Sequence, residues 1–274
     1  MNRVRRYPVK ALLYGAPIGV LGGLIGLGGA EFRLPVLKSV FSYPTRRAVA
    51  LNMAVSLVTI LASLAIRLRL APTGALLPFV PAILGLVSGS MIGAYLGASY
   101  ASRIPTRHLD RLILVLLSAI GLLLIVEGFL PWSSEGIPFG LSVRLPLAVL
   151  LGMGIGLVSS ILGVAGGELL IPTLVLIFGA DIKTAGTASL IISLPTLVVG
   201  ISRYRRKAAL LERADIPALI LPMGAGSVVG ALVGGLLVPY VAGDALKVAL
   251  GVILVLSAVR IFREAAPAAQ PPGL

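Results

Sequence analysis

Two carboxylates and one guanidinium stand out in a chain that otherwise avoids charge. Glu31 and Arg33 lie two residues apart in LGGAEFRLP (27–35), and Glu168 lies in VAGGELLIP (164–172). In each stretch a glycine pair precedes the acid and a proline follows it by four residues. Glycine there lets a helix stop and restart, and a restarted helix offers unpaired backbone N–H groups and a partial positive charge. Two such starts make an anion site that needs no basic side chain. Its candidate contacts are Gly28, Gly29, Ala30, Gly166 and Gly167. The competing reading is that these glycines only permit close helix packing.

Glu31 and Glu168 fall in the first turn of the restarted helices. A carboxyl there either caps its helix or, embedded in a membrane, carries a proton coupled to anion movement, and the two roles are compatible. Arg33 has no counterpart, since Leu170 holds the equivalent place. Its forked donors suit a carboxylate ligand; the alternatives are snorkelling or pairing with Glu31. Asn52 and Ser56 are four residues apart, hence on one helix face, as are Ser189 and Ser193. With Thr187, they either face a substrate or hydrogen-bond between helices.

What must position these residues is a set of apolar helices. The chain has 274 residues, 58% hydrophobic and only 12% charged, with a mean hydropathy of +1.06. Soluble domains carry roughly twice that share of charge. Too little polar material exists to cover a soluble surface, so lipid is the solvent, and residues 1–274 read as a single transmembrane domain. The net charge of +13 would suit nucleic acid, yet Lys and Arg cluster between apolar runs, as membrane topology requires. No nucleic-acid partner is expected. Cysteine is absent, which removes disulfides, thiolate metal sites and cysteine nucleophiles. The start, MNRVRRYPVKALLYGAP, has a basic n-region but no small-x-small cleavage site, and reads as an uncleaved first span.

The apolar runs fall at 11–29, 31–42, 46–66, 75–101, 108–130, 145–166, 168–179, 184–203, 215–240 and 245–262. Most reach the roughly 20 residues that cross a bilayer. The runs 31–42 and 168–179 are too short, follow glycine clusters and contain proline, so they read as broken or re-entrant helices. A shift of 137 residues superposes 15–59 on 152–196 without a gap, matching Gly26 with Gly163, Gly29 with Gly166, Glu31 with Glu168 and Pro35 with Pro172. With a four-residue change of shift, Pro81, Gly85, Gly89 and Gly93 fall on Pro222, Gly226, Gly230 and Gly234. The spacing of these glycines lets helices approach closely in lipid.

Five segments per half, an odd number, put the second half in the membrane upside down. The expected fold is an all-α polytopic membrane protein of two inverted five-segment repeats, 11–130 and 145–263, each with a broken or re-entrant short helix after a Gly-rich motif. With a cytoplasmic N-terminus, 17 Lys and Arg lie inside and five outside, leaving Arg33 as the twenty-third. This is a positive-inside pattern with both termini cytoplasmic. Inverted repeats with broken helices are the mark of secondary transporters.

GLGGAEFRLP and GVAGGELLIP, each followed about 13 residues later by a small-residue segment (AVALNMAVS, AGTASLIIS), resemble the sulfite exporter TauE/SafE family of membrane permeases. The resemblance covers nearly the whole chain. Many members carry a fuller glycine triplet, where this chain has Ala30 and Ala165. The resemblance implies transport of small sulfur-containing or organic anions such as sulfite, sulfonates and sulfoacetate across the cytoplasmic (inner) membrane, with export as the implied direction.

An enzyme lacks its parts here. The only histidine, His108, sits among Arg107, Asp110 and Arg111 at a helix start, which suits a solvated interface residue. Without a second histidine or a cysteine, neither a His-based metal site nor a Ser–His hydrolase is expected, and no cofactor or catalytic residue is assigned. Trp132, Tyr100 and Tyr240 lie near span ends, where aromatic residues belong. The expected partners are the lipid bilayer and a small anion. The alternative function is an anion channel built on the same helix starts.

Overall fold

The computed structural model describes residues 8–70, 73–100, 106–129, 140–207 and 214–265. Among them the α-helices are, in chain order, α1 (Pro8–Ile25), α2 (Ala30–Ser39), α3 (Thr45–Leu70), α4 (Val80–Tyr100), α5 (Thr106–Phe129), α6 (Leu141–Leu162), α7 (Gly167–Pro172), α8 (Ile182–Lys207), α9 (Leu221–Leu237) and α10 (Gly243–Ala265). Six stretches of the described residues are helical, long and apolar enough to cross a membrane: Pro8–Ile25, Arg47–Leu70, Gly74–Ser99, Ser142–Leu162, Ile182–Arg203 and Ile216–Tyr240. Large apolar side chains such as Leu13, Leu84, Leu150 and Leu221 point outward, which only a lipid solvent rewards. The protein is an all-α polytopic membrane protein.

Local sequence sets where helices stop. α1 ends at Gly26 (φ 98°) and α6 at Gly163 (φ 70°), a left-handed conformation that a side chain resists. α2 is only 10 residues long. α7 is shorter still, because Pro172 cannot donate to the Glu168 carbonyl; the chain widens into a π-turn over Thr173–Ile177. Thr173 Oγ1 donates to the Leu169 carbonyl at 2.6 Å, satisfying part of that loosened turn.

Helices α1–α4 and α6–α9 form one compact unit. Within it α1 runs along α9 and α4 along α6, while α3 and α8 pack on each other between them and carry α2 and α7. Burial agrees: 56% of the α3 span and 67% of the α8 span are enclosed, against 28–39% for the other four. Each outer pair joins helices from opposite halves. α1 meets α9, and α4 meets α6, so exchanging the halves leaves the pairing unchanged.

Glycine makes those pairs close. A Cβ added at Gly19 or Gly23 would strike the backbone of Ser227 or Ala231, and one at Gly156 would strike that of Ser90. The register corrects one sequence expectation. Gly226 packs on the backbone of Leu12 and Ala16, and Gly89 packs on that of Val149 and Met153. Gly230 lies on Ala16 and Val20, while Gly93 lies on Met153 and Leu157. Gly89 therefore corresponds to Gly226 and Gly93 to Gly230, with the 137-residue shift kept and no four-residue change. A glycine every four residues resembles itself when slid by one helical turn, so the sequence match slipped by that amount.

The second compact unit is α5 with α10. Gly121 and Gly251 face each other's carbonyls, and Lys247 Nζ pairs with Glu127 Oε1 at 2.9 Å.

Candidate anion site at the glycine breaks

The two linkers between helices meet inside the first unit. A Cβ on Gly167 would lie 3.0 Å from the Leu27 Cα, and one on Gly28 would lie 3.6 Å from the Ala165 Cβ. Gly29 (φ 72°) and Gly166 (φ 82°) stand immediately before α2 and α7 in the same left-handed conformation. No side chain caps either helix start. The corresponding breaks of the two halves thus lie side by side.

Hydrogen bonds tie each break to the opposite half. Asn52, on α3, donates from Nδ2 to the Gly163 carbonyl at 2.9 Å and to the Ala30 carbonyl at 3.0 Å. Ser189, on α8, donates to the Gly26 carbonyl at 2.7 Å and also approaches the Gly186 carbonyl at 2.9 Å. Asn52 and Ser189 occupy equivalent positions, as do Gly163 and Gly26. Ser193 is buried one turn further along α8.

Arg33 enters the core with no exposed surface at all. Its Nη1 donates to Ser56 Oγ at 2.7 Å and Asn52 Oδ1 at 3.4 Å, and its Nη2 to Thr59 Oγ1 at 3.0 Å and the Gly28 carbonyl at 3.3 Å. All four acceptors are neutral. Nε has no partner, and neither buried carboxylate oxygen of Glu31 has one. The Arg33 side chain therefore does not snorkel, and it attracts Glu31 through space without a hydrogen bond to it. Glu168 is 6% exposed, and Leu170, in the place equivalent to Arg33, is buried in the core.

Residues 2–124 and 148–273 match the family described as sulfite exporter TauE/SafE. The chain belongs to that family of membrane transporters. A curated member of the wider group of proteins it resembles is the "Probable membrane transporter protein YunE" of Bacillus subtilis (strain 168), 30% identical over 117 residues. That alignment takes in 40% of this chain and 39% of the relative, so the chain matches about two-fifths of the relative's length. No solved structure matches the chain.

The TauE/SafE chain carries polar residues that sequence reasoning passed over. Thr59, in the shared repeat pattern, completes the Arg33 cradle. Arg67, 2% exposed, binds the end of α1 through the Gly23 (3.0 Å) and Leu24 (2.7 Å) carbonyls. It also binds the start of α8 through the Lys183 carbonyl (3.0 Å) and Thr187 Oγ1 (3.1 Å). Thr187 thus bonds Arg67 and the Lys183 carbonyl, and none of the Arg33 hydrogen bonds goes to it. At the opposite end of α3, Arg47 grips the fully buried Asp215 with Nη2–Oδ1 at 2.7 Å and Nε–Oδ2 at 3.2 Å. Tyr240 is highly exposed at the end of α9, as expected of an interfacial aromatic; Trp132 and the side chains of Tyr100 and His108 lie outside the described residues.

Proposed function

We propose that this transporter moves a small oxyanion, such as sulfite, a sulfonate or a sulfoacetate-like acid, through the junction of the two glycine breaks. Movement is by alternating access in the inner membrane, outward from the cytoplasm, with both termini cytoplasmic. The observation that carries the reading is Arg33: a fully buried guanidinium hydrogen-bonded to four neutral acceptors, with Nε unpartnered. A buried charge without a bonded counter-charge is costly. An anion seated at Gly28, Gly29 and Arg33 offsets it and gains the backbone N–H groups of the α2 start. The site is built on one half and only echoed in the other, where Gly166, Gly167 and Glu168 supply a helix start without an arginine.

Glu31 and Glu168 are the proton carriers in this scheme. Glu31 sits two residues from Arg33 with both oxygens buried and unbonded. A proton arriving there removes a negative charge from the anion's path, so proton and anion favour each other's entry.

The test is uptake into proteoliposomes of labelled sulfite and of short sulfonates by wild type and Arg33→Gln, with thermal unfolding as a check on folding. Hydrogen bonds to charged groups contribute about 1.5–3 kcal/mol. Loss of the guanidinium is therefore expected to lower uptake by roughly ten- to a hundredfold. Folded Arg33→Gln protein with wild-type uptake would remove the proposed site. Flux that saturates near a transporter's turnover and needs a pH gradient distinguishes the scheme from a channel's proton-independent current.

A further inference from the structure

A cavity of about 310 Å³ opens where the C-terminal ends of α3 and α9 meet the start of α8. Its polar side holds Arg67, Lys183, Thr184 and Thr187, and Leu76 and Val238 belong to its apolar wall. Asp181 also lines it, but its Oδ1 accepts the Lys183 and Thr184 backbone N–H groups, each at 3.0 Å, and so caps α8. Two cations against one committed carboxylate leave the cavity net positive. Neither cation hydrogen-bonds a carboxylate, although the Asp181 charge lies near enough to attract Arg67. Arg67 bonds three carbonyls and one hydroxyl, and Lys183 Nζ only approaches the Pro239 carbonyl at 3.4 Å.

Arg67 links the cavity to the first glycine break. That side chain holds Gly23 and Leu24, just before the break at Gly26, and Thr187 lies two residues before Ser189, which holds Gly26. We propose that the cavity is a second anion site, in series with the first, for an organic anion with a short hydrocarbon part. The head rests on Lys183 Nζ and the edge of Arg67, beside Thr187, whose hydroxyl proton already goes to the Lys183 carbonyl, and the tail on Leu76 and Val238. Ligand pockets run from roughly 300 to 1,000 Å³, so this one suits an acid of roughly two to five carbons. A bare inorganic oxyanion would leave the apolar wall unmet. The proposal rests on the anion-transport reading only for its place in the path.

The test is calorimetric binding of sulfite and of methane-, ethane-, propane- and butanesulfonate to the full chain in phosphatidylcholine nanodiscs. Affinity is expected to rise about fourfold per methylene, as burial of hydrocarbon gives. Lys183→Gln is expected to weaken butanesulfonate about tenfold, as loss of a charge-assisted bond does. Ala75→Trp, which fills the cavity from an exposed position, abolishes the chain-length series, and Arg33→Gln preserves it. Affinity independent of chain length, or unchanged in both cavity variants, overturns the proposal, as does loss of the whole series in folded Arg33→Gln, which would mean a single site. Phosphatidylglycerol added to the discs is expected not to compete. If it displaces the sulfonates and is itself released by Lys183→Gln, the occupant is a lipid headgroup and the proposal falls. An intact series alongside undiminished sulfite uptake by Arg33→Gln would overturn the Arg33 reading alone.

Discussion

Ser189 Oγ donates to the Gly26 carbonyl at 2.7 Å, so that a side chain of the second half holds the break in the first. Asn52 returns the same bond to Gly163 at 2.9 Å. Hydrogen bonds between membrane helices contribute about 0.6 kcal/mol on average and up to about 1.7 kcal/mol. Ser189→Ala is expected to lower unfolding stability by about the first amount. Asn52→Ala, which loses two carbonyl bonds and an Arg33 acceptor, is expected to lower it by about twice as much and to slow uptake as well. Stability measured by denaturant titration in micelles checks this, and an Asn52→Ala protein as stable as wild type would refute the cross-tie.

Glycine packing gives a contrast within the same helices. At Gly154 an added Cβ meets nothing within 4 Å, whereas at Gly230 it runs into the Ala16 carbonyl. Gly154→Ala is expected to leave the melting temperature unchanged or slightly raised, because alanine favours helix. Gly230→Ala is expected to lower it, since backbone must move apart along α1 and α9. Equal melting temperatures for the two variants would count against the packing described.

Proton coupling is tested at the two acids. With an inward or outward pH gradient imposed on proteoliposomes, Glu31→Gln and Glu168→Gln are expected to keep downhill anion exchange but lose gradient-driven accumulation. Full accumulation by both variants would show that neither carboxyl carries the proton.

Much of this arrangement was legible in the sequence. Apolar run length gave the spans, and glycine followed by acid and proline gave both breaks, because those residue types dictate where helices stop. The partners of Asn52 and Ser189 were not legible, since each bonds a backbone carbonyl that no residue type announces. Arg67 stands near a span end in the sequence with nothing to mark its role; only the fold turns it inward onto the Gly23, Leu24 and Lys183 carbonyls. The α4–α9 register slipped for a different reason, as a four-residue glycine period cannot distinguish one helical turn from the next.

The central claim is that the anion binds beside Arg33 at the glycine breaks, and a heavier isologue of sulfite or sulfonate can report that position directly. Crystals of the full chain soaked in selenite should give an anomalous selenium peak within hydrogen-bond distance of Arg33, next to Gly28 and Gly29. Bound selenite elsewhere in the protein, with no peak at Arg33, would contradict the account.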